Sequence, residues 1–430
     1  MKALCPTAEG GNAVAEKNKK SRRSDPGRAM LLAVMLFYFL AFFLLALKDG
    51  KWEGFFMAVV VPAIIFVGTA GISRLFPSDK LLLSLTNFLC ALGVLVLYRL
   101  SPSRGLAQAV NYGIGVGCMI FCTYLVRYLP RWKWFIFLVM LGSVGLLVLP
   151  VLIGSETNGA KNWVSIGGYS FQPSEIVKLA LLFSISYLLS QRKLITAILF
   201  SGVCLLLLML QKDLGTALLY FGVVFVLLYA ATGSIALLLG GVVGGAGAAF
   251  AGYQMFAHVK RRVAIWLNPW ADTDGAGYQI VQSLIAIVNG GFWGVGLGLG
   301  NASVIPEYYN DFIFSVILHE FGLFFGLIVL LMYLMIIIRG IMIARRSRTV
   351  FHALLATGCA VLIGLQTFVI IGGNIKLIPL TGVTLPFISY GGTSMVSSLC
   401  VIGFLQGVSS LNEAGVDEDR YLASWGGDGR

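Results

Sequence analysis

Five ionisable residues, Glu175, Lys178, Asp213, Asp311 and Glu320, lie within or at the ends of long apolar segments. A charge held near hydrocarbon costs a few kcal/mol, so each is a candidate for function rather than decoration. Asp311 is the sharpest, because it stands where the polar run Ile305-Pro-Glu-Tyr-Tyr-Asn-Asp311 meets the apolar Phe312-Ile-Phe-Ser-Val-Ile. A carboxylate there can take a proton or hold a cation at the mouth of an active site. The plainer alternative is a helix cap, where the helix dipole favours the ionised form. A strong general base needs a raised pKa instead, from desolvation or from neighbours such as Glu307 and Glu320.

Glu175 and Lys178 are three apart behind Pro173, which can begin a helix, so they share a face and can pair. They either organise a cavity or fasten helices together. Asp213, in Gln211-Lys-Asp-Leu-Gly-Thr, opens another apolar run, where an Asp caps orphan N–H groups or joins the same cavity. Lys260-Arg261-Arg262 is a basic cluster whose forks suit phosphate and diphosphate oxygens, or anionic lipid headgroups. His258, His319 and His352 have no metal-ligand spacing and read as packing or loop residues. The glycines from Gly290 to Gly300 do not spell GxGxxG and suit close packing at a membrane surface better than a dinucleotide. The seven cysteines show no CxxC spacing, which leaves neither a disulfide framework nor a zinc site.

The elements that must carry these residues follow from composition. With 58% hydrophobic and 12% charged residues and a mean hydropathy of +0.88, the chain is not a soluble domain, in which roughly a quarter of residues are charged. It reads as an all-α polytopic membrane protein. Apolar runs of nearly 20 residues recur near 29–47, 54–72, 81–98, 106–126, 134–153, 174–190, 194–211, 214–232, 235–256, 312–338, 350–372 and 387–410, giving about twelve transmembrane helices. The net charge of +12 falls mainly in the breaks between runs, which argues topology rather than nucleic acid, and makes membrane lipids the surroundings. With the basic tail 1–28 inside, the positive-inside rule puts both termini in the cytoplasm and the five ionisable residues toward the outer face. The tail itself reads as disordered. Residues 29–80 then form two N-terminal spans, 81–410 a transmembrane core, and 411–430 a cytoplasmic tail. Long outer loops cover 154–173 and 257–311, and loops of that size tend to be functional. The second contains an amphipathic stretch, Tyr278 to Ile287, suited to lying at the interface.

In sequence order, Asn158-Gly-Ala-Lys-Asn-Trp163, Phe171-Gln-Pro-Ser-Glu175-Ile-Val-Lys178, Gln211-Lys-Asp213-Leu-Gly-Thr, Pro306-Glu-Tyr-Tyr-Asn-Asp311-Phe-Ile-Phe and Leu385-Pro-Phe-Ile-Ser-Tyr-Gly-Gly-Thr-Ser394 resemble the motifs of the bacterial SEDS family (shape, elongation, division and sporulation). The departures are Asn162 for Arg, Lys212 for Pro, Asn310 for Thr, and His319 for the first Glu of an acidic pair. The resemblance implies a ten-span core preceded here by two added spans, in the bacterial cytoplasmic membrane. It also implies a peptidoglycan glycosyltransferase that polymerises lipid II into glycan strands on the outer face, beside a class B penicillin-binding protein. It carries the essential Asp onto Asp311, as base or metal-assisted equivalent, in an inverting transfer. Lys260 and Arg262 would lie near the diphosphate, Glu175, Lys178, Asp213 and Glu320 in the cavity, and Trp163 at its entrance. The resemblance fixes no cofactor, and a divalent cation, magnesium or manganese, stays open. The rival readings are a lipid II flippase, which predicts polar residues along the whole pathway, and a non-catalytic scaffold for cell-wall synthases.

Overall fold

The computed structural model describes residues 26–425, apart from 129–132, 158–159, 168, 274, 276 and 302–303. Long apolar runs can satisfy their backbone polar groups in hydrocarbon only by forming helices, and they do so here. In chain order these are α1 (Pro26–Asp49), α2 (Trp52–Leu75), α3 (Lys80–Leu100), α4 (Pro102–Tyr128), α5 (Lys133–Ile153), α6 (Pro173–Ser190), α7 (Leu194–Leu210), α8 (Leu214–Thr232) and α9 (Ile235–Met255). Two shorter helices, α10 (Ala257–Leu267) and α11 (Tyr278–Gly290), precede α12 (Ile313–Arg345), α13 (Val350–Asn374) and α14 (Gly392–Trp425). Among the described residues eleven helices are long and apolar enough to cross a membrane, and α7, at 17 residues, is a shorter apolar helix. The chain is a multi-pass helical membrane protein.

Three details differ from the sequence reading. The loop expected over 154–173 contains an antiparallel sheet of β1 (Ser155–Thr157), β2 (Ala160–Ile166) and β3 (Tyr169–Phe171), so the architecture is not purely helical. The last apolar run begins its helix at Gly392 rather than 387, because Phe387 has φ 70° and the Ser389 hydroxyl accepts the Leu385 N–H at 2.8 Å, holding a turn. That same helix continues to Trp425 through the segment expected as a tail. The basic tail up to Asp25 lies outside the described residues.

Of the eleven candidate spans, α3 and α14 are the most buried and α9 the most exposed. Gly403 lets α14 approach α4 so closely that an added Cβ would meet the Met119 carbonyl oxygen at 2.5 Å. Small residues serve this purpose where apolar surface is no cheaper in protein than in lipid. The α1–α2 hairpin leans on α3: Tyr38 Oη donates to the Phe88 carbonyl, Asn87 Nδ2 donates to Thr69 Oγ1, and Tyr112 Oη donates to Asn87 Oδ1, each at 2.8 Å. At one end of the bundle Arg339 Nε donates to Asp79 Oδ2 at 2.7 Å, while Gln406 Oε1 accepts the Asp79 N–H at 2.9 Å.

The opposite end carries the site, and there α12 is broken. Gly322 has φ 82° and ψ 172°, which separates a short segment from the long helix that follows. The glycine-rich loop after α11 threads against the break, with Val295 N donating to His319 O at 3.0 Å and Leu323 N to Gly291 O at 3.0 Å. The short segment brings residues 311–321 against α11 and α13 instead of continuing the long helix.

Candidate active site

A cavity of about 440 Å³ opens beside Asp311. Arg261, Arg262, His258 and Ile265 of α10 line it, with Gln279 and Ile280 of α11, Glu307 and Asp311 of the loop before α12, Gly275 and Leu380. Its size is that of an ordinary ligand pocket. Two arginines and a histidine thus share one space with two carboxylates.

The loop bearing Asp311 is held on several sides. Glu307 adopts φ 54°, rare for a residue with a Cβ, and its carbonyl accepts the N–H groups of Asn310 and Phe312 at 3.0 and 3.3 Å, making a tight turn. Ser389 Oγ donates to Asn310 O at 2.8 Å and Tyr390 N to Tyr309 O at 2.9 Å, so the turn before α14 grips the same loop. From α4, Gln108 Nε2 donates to Ser389 O at 3.0 Å, and Arg104 lies 3.7 Å over the Tyr309 ring. Such a cation over a ring contributes about 0.5–2 kcal/mol.

Asp311 is not a helix cap. Phe312 occupies that position, and Asp311 Oδ1 is buried without a hydrogen-bond partner among the described residues. Protein packs around the carboxyl on nearly every side, yet it keeps contact with the cavity. Burial, reinforced by Glu307 and opposed by Arg262, pushes its pKa up to about 7. That is the range a general base needs near neutral pH. Arg262 Nη1 donates to Thr381 O at 2.9 Å, and a Cβ added at Gly382 would lie 3.6 Å from Arg262 Nη2 and 3.7 Å from Asp311 Oδ2. Only a residue without a side chain leaves that space open, and its φ of 73° suits glycine. Burial, with Arg262 and Lys212, holds His258 below its ordinary pKa.

The other sequence candidates sit elsewhere. Lys178 Nζ pairs with Glu175 Oε2 at 2.6 Å in the bundle interior, Ser397 Oγ also donates to that oxygen, and Gln366 links the pair toward Thr384 through 3.5 and 2.9 Å bonds. This pair joins α6, α13 and α14 and does not line the cavity. Asp213 is a satisfied cap: Oδ1 accepts Thr216 N at 3.1 Å, and Oδ2 accepts Thr216 Oγ1, Asn162 Nδ2 and Gln172 Nε2 at 3.0 to 3.1 Å. It ties the small sheet to α6 and α8. Trp163 lies half-buried on β2, beside Asn162, away from the cavity lining. Glu320 pairs with Arg99 at 3.0 Å, so it belongs to the brace around the Gly322 break and not to the surroundings of Asp311. Lys260 is exposed, 5.9 Å over the Tyr253 ring, and its neighbour Arg261 enters the cavity in its place. Of the residues expected there, Asp311 and Arg262 come together.

Sequence reasoning missed His258 and Gln279 as cavity residues, reading the histidine as a packing or loop residue, and within the basic cluster it favoured Lys260 and Arg262 over Arg261. A signal existed for His258 and Arg261: with Arg262 they stand at helical spacing on one face of α10. His319, by contrast, does pack, its Nδ1 lying 2.9 Å from Ala286 O. No group of three or more His, Cys, Asp or Glu able to hold a metal occurs among the described residues. The described residues by themselves do not assemble a resident metal centre.

Fold and site together define a multi-pass membrane protein with a carboxylate and arginines gathered in one cavity at the bundle's end. The chain belongs to the FtsW, RodA and SpoVE family of cell cycle proteins, whose model matches residues 79–414. It is 33% identical to the peptidoglycan glycosyltransferase RodA of Mycobacterium tuberculosis over 77% of this chain and 78% of that one. It is 34% identical to stage V sporulation protein E of Bacillus subtilis, over 77% of this chain and 96% of that one. One chain of a solved peptidoglycan synthase complex, in which polymerization and crosslinking are coordinated, superposes over 78% of this chain and 98% of that one with a TM-score of 0.64 at 27% identity. The rod shape determining protein RodA of Thermus thermophilus superposes on 77% of this chain and 96% of its own with a TM-score of 0.55 at 26% identity. The SEDS resemblance of the five motifs is therefore correct, and the α1–α2 hairpin precedes the matched region.

Proposed function

We propose that this protein is a peptidoglycan glycosyltransferase that polymerises lipid II into glycan strands, with Asp311 as the base. The observation that carries the reading is the buried Asp311 carboxyl sharing one cavity with Arg261 and Arg262. The acceptor hydroxyl loses its proton to Asp311 as its oxygen bonds to the anomeric carbon of the donor. The bond from that carbon to the diphosphate breaks, and its electron pair leaves with the diphosphate toward the arginine forks. One displacement converts an α-linked donor into a β-linked polymer, so one base is enough. A magnesium or manganese ion would be held chiefly by the substrate's diphosphate, since the described residues offer no three-ligand centre.

The orientation is part of the proposal: termini inside, cavity on the outer face. It is supported by the basic breaks at the opposite end of the bundle, where Arg339 meets Asp79. Partnership with a class B penicillin-binding protein is supported by the similarity to a complex that couples polymerization with crosslinking. Purified protein supplied with lipid II tests the reading. Glycan chains that disappear in Asp311→Asn support it, lipid translocation without polymer supports a flippase, and neither supports a scaffold.

A further inference from the structure

Beneath Asp311 runs a buried polar chain that no step above uses. Ser283 of α11, Ser315 of α12 and Asn374 at the end of α13 are all fully buried. Ser315 Oγ donates to Asn374 Oδ1 at 3.0 Å, and the Ser283 and Ser315 hydroxyls meet at 2.7 Å. Asn374 Nδ2 donates to the Asp311 carbonyl at 2.7 Å and to the Ile370 carbonyl at 2.8 Å.

The donor inventory gives the chain a direction. Two carbonyls flank one side of the Asn374 amide, so that side must be the NH₂ and the other the acceptor. Ser315 has a single proton and spends it on Asn374 Oδ1, so the 2.7 Å contact takes the Ser283 proton, whose other acceptor within reach, the Asn374 carbonyl, lies farther off at 3.4 Å. The bonds therefore run one way, Ser283 to Ser315 to Asn374 to Asp311, and bonds aligned in this sense polarise one another in a dry interior. The starting point matters too. Ser283 lies one helical turn from Gln279, which lines the cavity.

Resting on the proposed reaction, we propose that Asn374 is the positioning residue for Asp311, and that the Ser283–Ser315–Asn374 chain couples the seating of α11 at the cavity wall to the placement of the catalytic carboxyl. Asn374 does not touch substrate. It holds the backbone from which the carboxylate projects, and a ligand pressing on Gln279 reaches it through two serines.

The test measures kcat, KM and pH profile for lipid II polymerisation by the full chain, in Asn374→Leu, Ser315→Ala and Ser283→Ala. The groups facing Asp311 are Glu307 on its own loop and His258, Arg261 and Arg262 on α10, with Lys376 the charged residue of the loop leading to Gly382; α11 contributes no charge. None is altered in these variants. Leaving the Asp311 carbonyl without its donor is expected to lower kcat by roughly tenfold with KM little changed. The acid limb of the profile should move to lower pH as water reaches the loosened carboxyl. Ser283→Ala, two bonds away, should show the same shift in smaller measure, and keeps the proposal testable if Asn374→Leu does not fold. Unchanged kcat and pH profile in folded variants, whatever their melting temperatures, would overturn it. A readout independent of turnover is the infrared band of the protonated Asp311 carboxyl, identified by its loss in Asp311→Asn. If its titration moves in the Asn374 or Ser283 variants while Asp311→Asn still makes polymer, the coupling stands and the catalytic reading fails; if it does not move, the coupling fails.

Discussion

Asp311 keeps its proton to higher pH than an ordinary carboxyl, chiefly because it is buried and secondarily because Glu307 faces it. The base must be deprotonated to act, so polymerisation should fall as pH drops through about 7. Replacing Glu307 by Gln removes a repelling charge and should move that acid limb to lower pH. Arg262→Ala removes an attracting one and should move it upward while raising KM for the diphosphate-bearing donor. pH–rate profiles of the purified variants check both signs, and shifts in the opposite sense would show that another group titrates. The same physics bears on stability. The folded pKa lies above the unfolded one, so the contribution of this group to stability is full at low pH and is lost as pH rises through about 7. Asp311→Asn is therefore expected to raise the melting temperature at pH 8 and not at pH 4, by an energy on the order of 1 kcal/mol once solvent access is allowed for.

At the scale of the element, the decisive feature is the break in α12. The apolar run from Phe312 onward is continuous, so its period announces one helix; Gly322 and the glycine loop that packs on it become legible only together. A Cβ at Gly322 would collide with the backbone of Phe292 and Gly294, and its φ of 82° strains any other residue. Gly322→Ala should consequently cost several kcal/mol and lower the melting temperature in detergent far more than Gly142→Ala, where an added Cβ meets nothing within 4 Å. The Arg99–Glu320 pair braces the same region from α3, with Arg99 Nη2 also donating to Gly300 O at 2.6 Å. Arg99→Ala leaves the buried Glu320 carboxylate with only the Gly298 N–H, at 3.3 Å, as a partner among the described residues, a loss of about 3 kcal/mol. A thermal shift no larger than that of an exposed arginine would show that the brace is incidental.

For the whole molecule, the α1–α2 hairpin precedes the family match yet packs into the bundle through Tyr38 and Thr69. Because it contributes an even number of spans, deleting residues 1–75 should leave the orientation of the core and its polymerase activity in place, at the expense of melting temperature. Deleting α1 alone should not, since it changes the parity of spans ahead of the core. Cysteine labelling from either side of sealed vesicles, with the cysteine placed in the loop after α9, distinguishes the two outcomes. Labelling unchanged by loss of α1 would mean that basic breaks later in the chain set the topology.

Composition and the recurrence of apolar runs were enough to establish a polytopic helical protein, because in hydrocarbon a backbone has almost no alternative. The five motifs were enough for the family, and Asp311 was legible as the outstanding acid by its position at a polar-to-apolar boundary. Which charges share a cavity was not legible, since intramembrane acids at Glu175, Asp213 and Glu320 look alike in one dimension. Tertiary structure separates them: each of those three finds its donors within reach, at Lys178, at Thr216 with Asn162 and Gln172, and at Arg99, and so is consumed in holding helices together. Asp311 forms no such pair among the described residues and keeps a carboxyl oxygen without a hydrogen-bond partner at a cavity lined by arginines, a distinction that depends on what lies around a group rather than on where it falls in the chain.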